Sequence, residues 1–96
     1  WINFNGTGVI AIRDSFNVNG IADLGVGLYR VDFEVDFVNS NYAGVATANT
    51  TLSGGGPRPV STQTPLLTGI TMLAANTANT AGEDQELILM VAFGDQ

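Results

Sequence analysis

Five apolar residues, Tyr29, Val31, Phe33, Val35 and Phe37, alternate with four charged ones, Arg30, Asp32, Glu34 and Asp36. Successive strand side chains point to opposite faces, so Tyr29 to Phe37 predicts one strand with a core face and a wet face. A helix would scatter the same apolar positions around its circumference. Such a run spans about 30 Å at strand rise, well beyond the common strand length, and needs a partner sheet.

The flanking sequence supplies candidates for that partner. Trp1 to Phe4 predicts a short strand and Asn5-Gly6-Thr7-Gly8 a turn, because Asn-Gly readily takes the positive φ angles of a type I′ hairpin. Val9 to Asp14 predicts the return strand, with an extension toward Val18, and Asn19-Gly20 a second turn of the same kind. Ile21 to Leu28 is a glycine-spaced corner leading into the long strand. Asn39-Ser40-Asn41 closes that strand, and Tyr42 to Thr51 alternates loosely as another. Ser53 to Pro59, with three consecutive glycines and two prolines, is the longest loop. Leu66 to Ala75 predicts one or two strands broken at Gly69, and Asn76 to Gln85 a polar loop.

The last element, Glu86 to Gly94, is apolar on both faces. Leu87, Leu89, Val91 and Phe93 point one way; Ile88, Met90 and Ala92 point the other. Both faces should then be covered, one of them by a second chain, with Ile88 and Met90 as the outward, interface-forming residues. A central helix is the competing reading. Six or seven short strands with frequent turns predict an all-β fold, an antiparallel β-sandwich occupying residues 1–96 as one domain.

Composition narrows the function. The chain has 12 Gly, nine Asn and ten Thr, 45% hydrophobic and 12% charged residues, so it is not disordered by composition. It starts at Trp1 without Met, which is expected of a piece cut from a longer protein. No apolar run is long enough for a transmembrane helix, so membrane insertion is not expected. Net charge is −6, with only Arg13, Arg30 and Arg58 positive, the opposite of a nucleic-acid footprint. Without His, Cys or Lys, the chain lacks a Ser-His-Asp or Cys-His site, a thiolate zinc site, a Schiff-base lysine and a P-loop lysine. No catalytic residue, metal or cofactor is therefore assigned.

Asp32, Glu34 and Asp36 are the residues that test this exclusion. Alternate strand residues lie about 6.8 Å apart, inside the range of about 6.5 to 9.5 Å for an inverting glycosidase pair. Such a pair also needs an apolar pocket to raise one pKa, and a flat wet face offers none. A calcium site needs six to eight converging oxygens, and one strand presents them in a row unless a second element completes the set. A solvated face is the favoured reading. The loop Gly54-Gly55-Gly56-Pro57-Arg58 reads as a flexible surface loop, or more sharply as a recognition loop, with Arg58 its charged residue. For a sugar ligand, stacking aromatics matter. Tyr29 falls on the core face; Tyr42, flanked by Asn39 and Asn41, is the best candidate, although a core role competes for it.

The opening run Trp1 to Val18, WINFNGTGVIAIRDSFNV, resembles the start of a C-terminal domain found on many tailed-phage tail fibres, with the pattern W-[VI]-N-F-N-G-T-G-x-[VI]-x-I-R followed by N-V. Ile21, Gly25 and Gly27, then Tyr29, Val31 and Phe33, match its continuation. Asn41-Tyr42 matches the pair that opens its next strand, and Val91-Ala92-Phe93-Gly94 its closing strand. Ala48 to Gln85 matches poorly. The resemblance implies a homotrimeric β-structured tip or appendage of a virion fibre, used in host attachment. It also implies a packing or inter-subunit role for Trp1, and carries over no catalytic or binding residue. In that setting the glycosylation triplets at Asn5 and Asn49 are coincidental.

Three aliphatic residues, Leu24, Val26 and Leu28, stand where the family usually has polar ones between the glycines. They could plug the domain's own core, pack on a neighbouring subunit or dock another virion protein. The expected function is non-enzymatic host recognition on a virion, through a cell-surface saccharide or protein receptor. A structural connector between virion proteins is the alternative, and a carbohydrate-degrading module the third reading.

Overall fold

The computed structural model describes residues 1–50, 57–76, 78 and 80–95. In chain order its strands are β1 (Ile2–Asn5), β2 (Ala11–Ser15), β3 (Val18–Gly25), β4 (Leu28–Phe33), β5 (Ala43–Asn49), β6 (Pro57–Arg58), β7 (Val60–Leu66), β8 (Gly69–Ala74) and β9 (Leu87–Phe93). They form two antiparallel sheets, ordered β2-β1-β9-β5-β6 and β3-β4-β8-β7. No helix occurs among the described residues, and Glu86 to Gly94 holds a strand rather than the competing helix. The arrangement is compatible with a β-sandwich.

One apolar layer lies between the sheets. Pairing of Ile2 with Met90 and of Phe4 with Ile88 puts these four side chains on one inner face. Pairing of Val31 with Ile70 and of Tyr29 with Met72 builds the opposing face. Phe4 and Tyr29 meet edge-on across the layer, ring centroids 5.2 Å apart, a favoured aromatic geometry.

Tyr29 also carries a hydroxyl that reaches through the core. Its oxygen lies 2.9 Å from the Gly6 carbonyl and 2.8 Å from Asp84 Oδ1. Asp84 accepts the Gly27 N–H at 2.7 Å, and Gly6 donates its N–H to the Gln85 carbonyl at 2.8 Å. Three turns are thereby tied to one phenol. Gly6 does not take a positive φ; that role falls to Gly8, at φ 59°. A Cβ on Gly6 would instead strike the Tyr29 hydroxyl, so the glycine of the Asn-Gly pair is needed for space. Gly27, at φ 72°, meets both demands, since its Cβ would also run into the Ala74 carbonyl.

The predicted long strand is cut short. β4 ends at Phe33, and Glu34 to Asp36 leave the sheet. Asn17 causes this. Its side chain accepts the Val35 N–H at 2.7 Å and donates to the Val35 carbonyl at 3.0 Å, taking the backbone groups a ladder would use. Phe37 returns to the core and donates its N–H to the Leu67 carbonyl at 3.1 Å. The turn expected at Asn19-Gly20 also moves. Those residues lie inside β3 at a register shift, and the chain instead passes from the five-stranded to the four-stranded sheet at Phe16-Asn17, where Asn17 has φ 57°.

The outer strands are irregular. Register breaks interrupt β2 against β1, β3 at two places and β7 near Thr64, which has φ 47° and precedes Pro65. β6 pairs through two residues only. Of the predicted loop Ser53 to Pro59, residues 53–56 lie outside the described residues, as do Thr51, Thr77 and Asn79.

Burial first, then the Asp84 hydrogen bond and charge, push the Tyr29 hydroxyl pKa far above the ordinary tyrosine value; burial also raises Tyr42. A folded-state pKa above the unfolded one favours the protonated form. This stability is therefore complete below about pH 10 and is lost as pH rises beyond it. The chain's two tyrosines are expected to ionise together with loss of β circular dichroism, read by tyrosinate absorption. Tyr29→Phe should cost about 1–3 kcal/mol at neutral pH and flatten the alkaline decline. Asn17→Ala should cost a similar amount, about 1–3 kcal/mol, in chemical denaturation. Asn17→Gly, which tolerates the backbone but lacks the amide, should fall between Ala and wild type.

Candidate functional site

The outer face of the five-stranded sheet is where the structure departs from an ordinary wet surface. On β9 the inner residues are Ile88, Met90 and Ala92; Leu89, Val91 and Phe93 face outward. The expected orientation is thus reversed. Ile88 is 0% and Met90 3% exposed inside the chain's own core, so neither can form an interface. The reason is register, since Ile2 and Phe4 on β1 pair with these two residues and turn inward with them.

β5 continues the outward face. Val45 pairs with Val91, Thr47 with Leu89 and Ala43 with Phe93. Trp1 stands at the start of β1, where it and Phe16 exchange backbone hydrogen bonds of 2.8 and 3.0 Å. Two hollows meet at Trp1 and Val91. One, of about 340 Å³, lies along Val45, Thr47 and Leu89. The other, of about 310 Å³, is walled by Phe16 and Phe93 and floored by Phe33 and Phe37. Neither lining contains a charged side chain. Such a surface can exclude water and accept apolar groups.

The other predicted site residues are dispersed. Asn39 and Asn41 are exposed, with Asn39 Oδ1 accepting the Asn41 N–H at 2.8 Å in a local turn. Tyr42 is committed to the fold. Its ring stacks on Phe37 at 4.1 Å between centroids, and its hydroxyl lies 2.9 Å from the Leu66 carbonyl and 2.8 Å from that of Gly69. Arg58 lies beside the far end of β5, opposite Ala48, and pairs with Glu83 at 3.5 Å. The length of β5, about 20 Å, therefore separates it from Asn41 and Tyr42.

Leu24 and Val26 are exposed at the tip of the β3–β4 hairpin. Leu28 is half-buried on the outer face of the four-stranded sheet, paired with Leu73. None of the three plugs the core. Asp32 binds Arg30 Nε at 2.6 Å, while Glu34 and Asp36 lie beyond the end of β4. The three carboxylates therefore do not form a row on one strand. Among the described residues no three His, Cys, Asp or Glu side chains are grouped to hold a metal ion.

Val45, Leu89, Val91, Phe16 and Phe93 are the site residues that sequence reasoning missed. The signal was present in the doubly apolar final strand, but alternation alone cannot say which of two apolar faces is the outer one. No protein-family model, curated protein or solved structure matches the chain.

The two faces of β9 are expected to respond differently to truncation. Met90→Ala should destabilise the dilute chain by about 2–5 kcal/mol. Val91→Ala, already in water, should change its stability by less than about 1 kcal/mol. Urea denaturation of the two variants measures both.

Proposed function

We propose that this is a non-enzymatic appendage domain of a tailed-phage fibre, assembled as a homotrimer on the virion and serving attachment to a host-cell surface receptor. The reading rests first on the opening motif Trp1 to Val18 and its continuation through Tyr29 to Phe33. The two-sheet fold adds support, with Trp1 at the start of β1 and the glycine-bounded turn before β4. The observation that carries the assembly is the uncharged apolar outer face of β9 and β5, which leaves an aromatic and aliphatic surface in water unless another chain covers it.

A second reading has its own observation. Leu24 and Val26 project from the tip of the β3–β4 hairpin, 51% and 66% exposed. An apolar tip of this kind suits a structural connector that docks a different virion protein.

Antibodies raised against the domain test the attachment reading on whole particles that encode it. They should decorate fibre tips in electron micrographs and block adsorption to host cells. Unlabelled fibres with unimpaired adsorption would sink the proposal. Leu24→Ser with Val26→Ser should leave adsorption intact if the domain is a tip. Loss of particle assembly with the domain still folded would favour the connector.

A further inference from the structure

We infer that the outer face of β9, β5 and Trp1 is the surface through which copies of this chain join, three such faces turned toward a common axis. This rests on the homotrimer reading above and adds the face that makes the contact.

Area is the first argument. Trp1, Val45 and Phe93 are 46%, 58% and 59% exposed, and Phe16, Leu89 and Val91 continue the patch. With aromatic side chains of about 150–250 Å² each, the six leave on the order of 500 Å² of apolar surface in water. That reaches the upper range of the largest patch on an ordinary monomer. It is also more than half of the roughly 800 Å² each partner contributes to a standard interface. The shape fits too, because two hollows flank Trp1 and Val91, and aromatic anchors beside pockets are the usual centre of an interface.

Charge selects the occupant. A chain of net charge −6 repels its own copies. The outward side chains of β5 and β9 include no charged residue, from Ala43 to Asn49 and from Leu87 to Phe93. The opposite outer face carries the Arg30–Asp32 pair with Ser61, Gln63 and Thr71 around it. Along the face of β9 and β5 two like-charged copies can meet without opposed carboxylates, Asp14 lying two strands away on β2. Its rim brings both signs. Arg13 lies across β1, bonded to the Glu86 carbonyl at 2.8 Å, and Asp14 is beside it in sequence. A rotated copy can set one against the other.

The test is sedimentation of wild type, Val91→Glu and Val45→Lys across micromolar concentrations, with circular dichroism of each. Trp1, the only tryptophan, adds acrylamide quenching as a local reporter. A folded variant should show a dissociation constant raised about 100-fold or more, with Trp1 newly accessible to quencher. Leu24→Glu at the hairpin tip should remain assembled. Trimeric wild type with folded, still trimeric β9-face variants overturns this surface and leaves the trimer reading standing. Monomeric wild type overturns both. Should Val91→Glu unfold, Val45→Lys on the neighbouring strand decides the outcome alone.

Discussion

One buried phenol holds the architecture at its weakest point, the junction of turns with core. Tyr29 sits on the four-stranded sheet, its ring meets Phe4 of the other sheet, and its hydroxyl ends between Gly6 and Asp84. A hydroxyl in an apolar layer is tolerated only when bonded. Here the bond partners come from the β1–β2 turn and from the segment preceding β9. The segment after β8 is then pinned twice more, through Glu83 N–H to Ala74 and Asn76 N–H to Ala81, at 2.9 and 3.0 Å. Asn76, Ala81, Glu83 and Asp84 are thereby held against the sheets, and β9 enters in a set register.

That register determines which face β9 offers to the outside. Once Ile88 and Met90 turn inward with Phe4 and Ile2, Leu89, Val91 and Phe93 have no choice but to turn out. The two outer faces of the domain are therefore unlike in kind. One carries an ion pair and polar side chains beside Leu28 and Leu73; the other has an apolar ledge on β9 and β5, with Trp1 at its corner and Arg13 and Asp14 at its β2 rim. The difference is written in alternate residues of two strands.

The sequence made some of this legible. Alternation at Tyr29, Val31 and Phe33 identified the inner face of β4, and all three are buried. The apolar run at the end marked β9. What stayed hidden has a physical cause in each case. Val35 fits the alternation yet is exposed, because a side chain eighteen residues upstream, Asn17, captures its backbone. β7 escaped notice because Ser61, Gln63 and Thr64 give no apolar period, its strand character coming from pairing with β8. Tyr42 has the look of a ligand platform in sequence, but Phe37 reaches it only after the chain folds back. Long-range capture of this type leaves no local signature.

The interrupted margins of both sheets have a further consequence. A bulge in β2, two in β3, and Thr64-Pro65 in β7 leave no straight run of free amides on which another strand could grow. Lateral polymerisation into ribbons is blocked on those borders. A sheet edge without such breaks would carry an amyloid-like hazard. The exposed apolar side chains of β9 and β5 stand on a sheet face and not along those borders, so they add no ladder for an incoming strand.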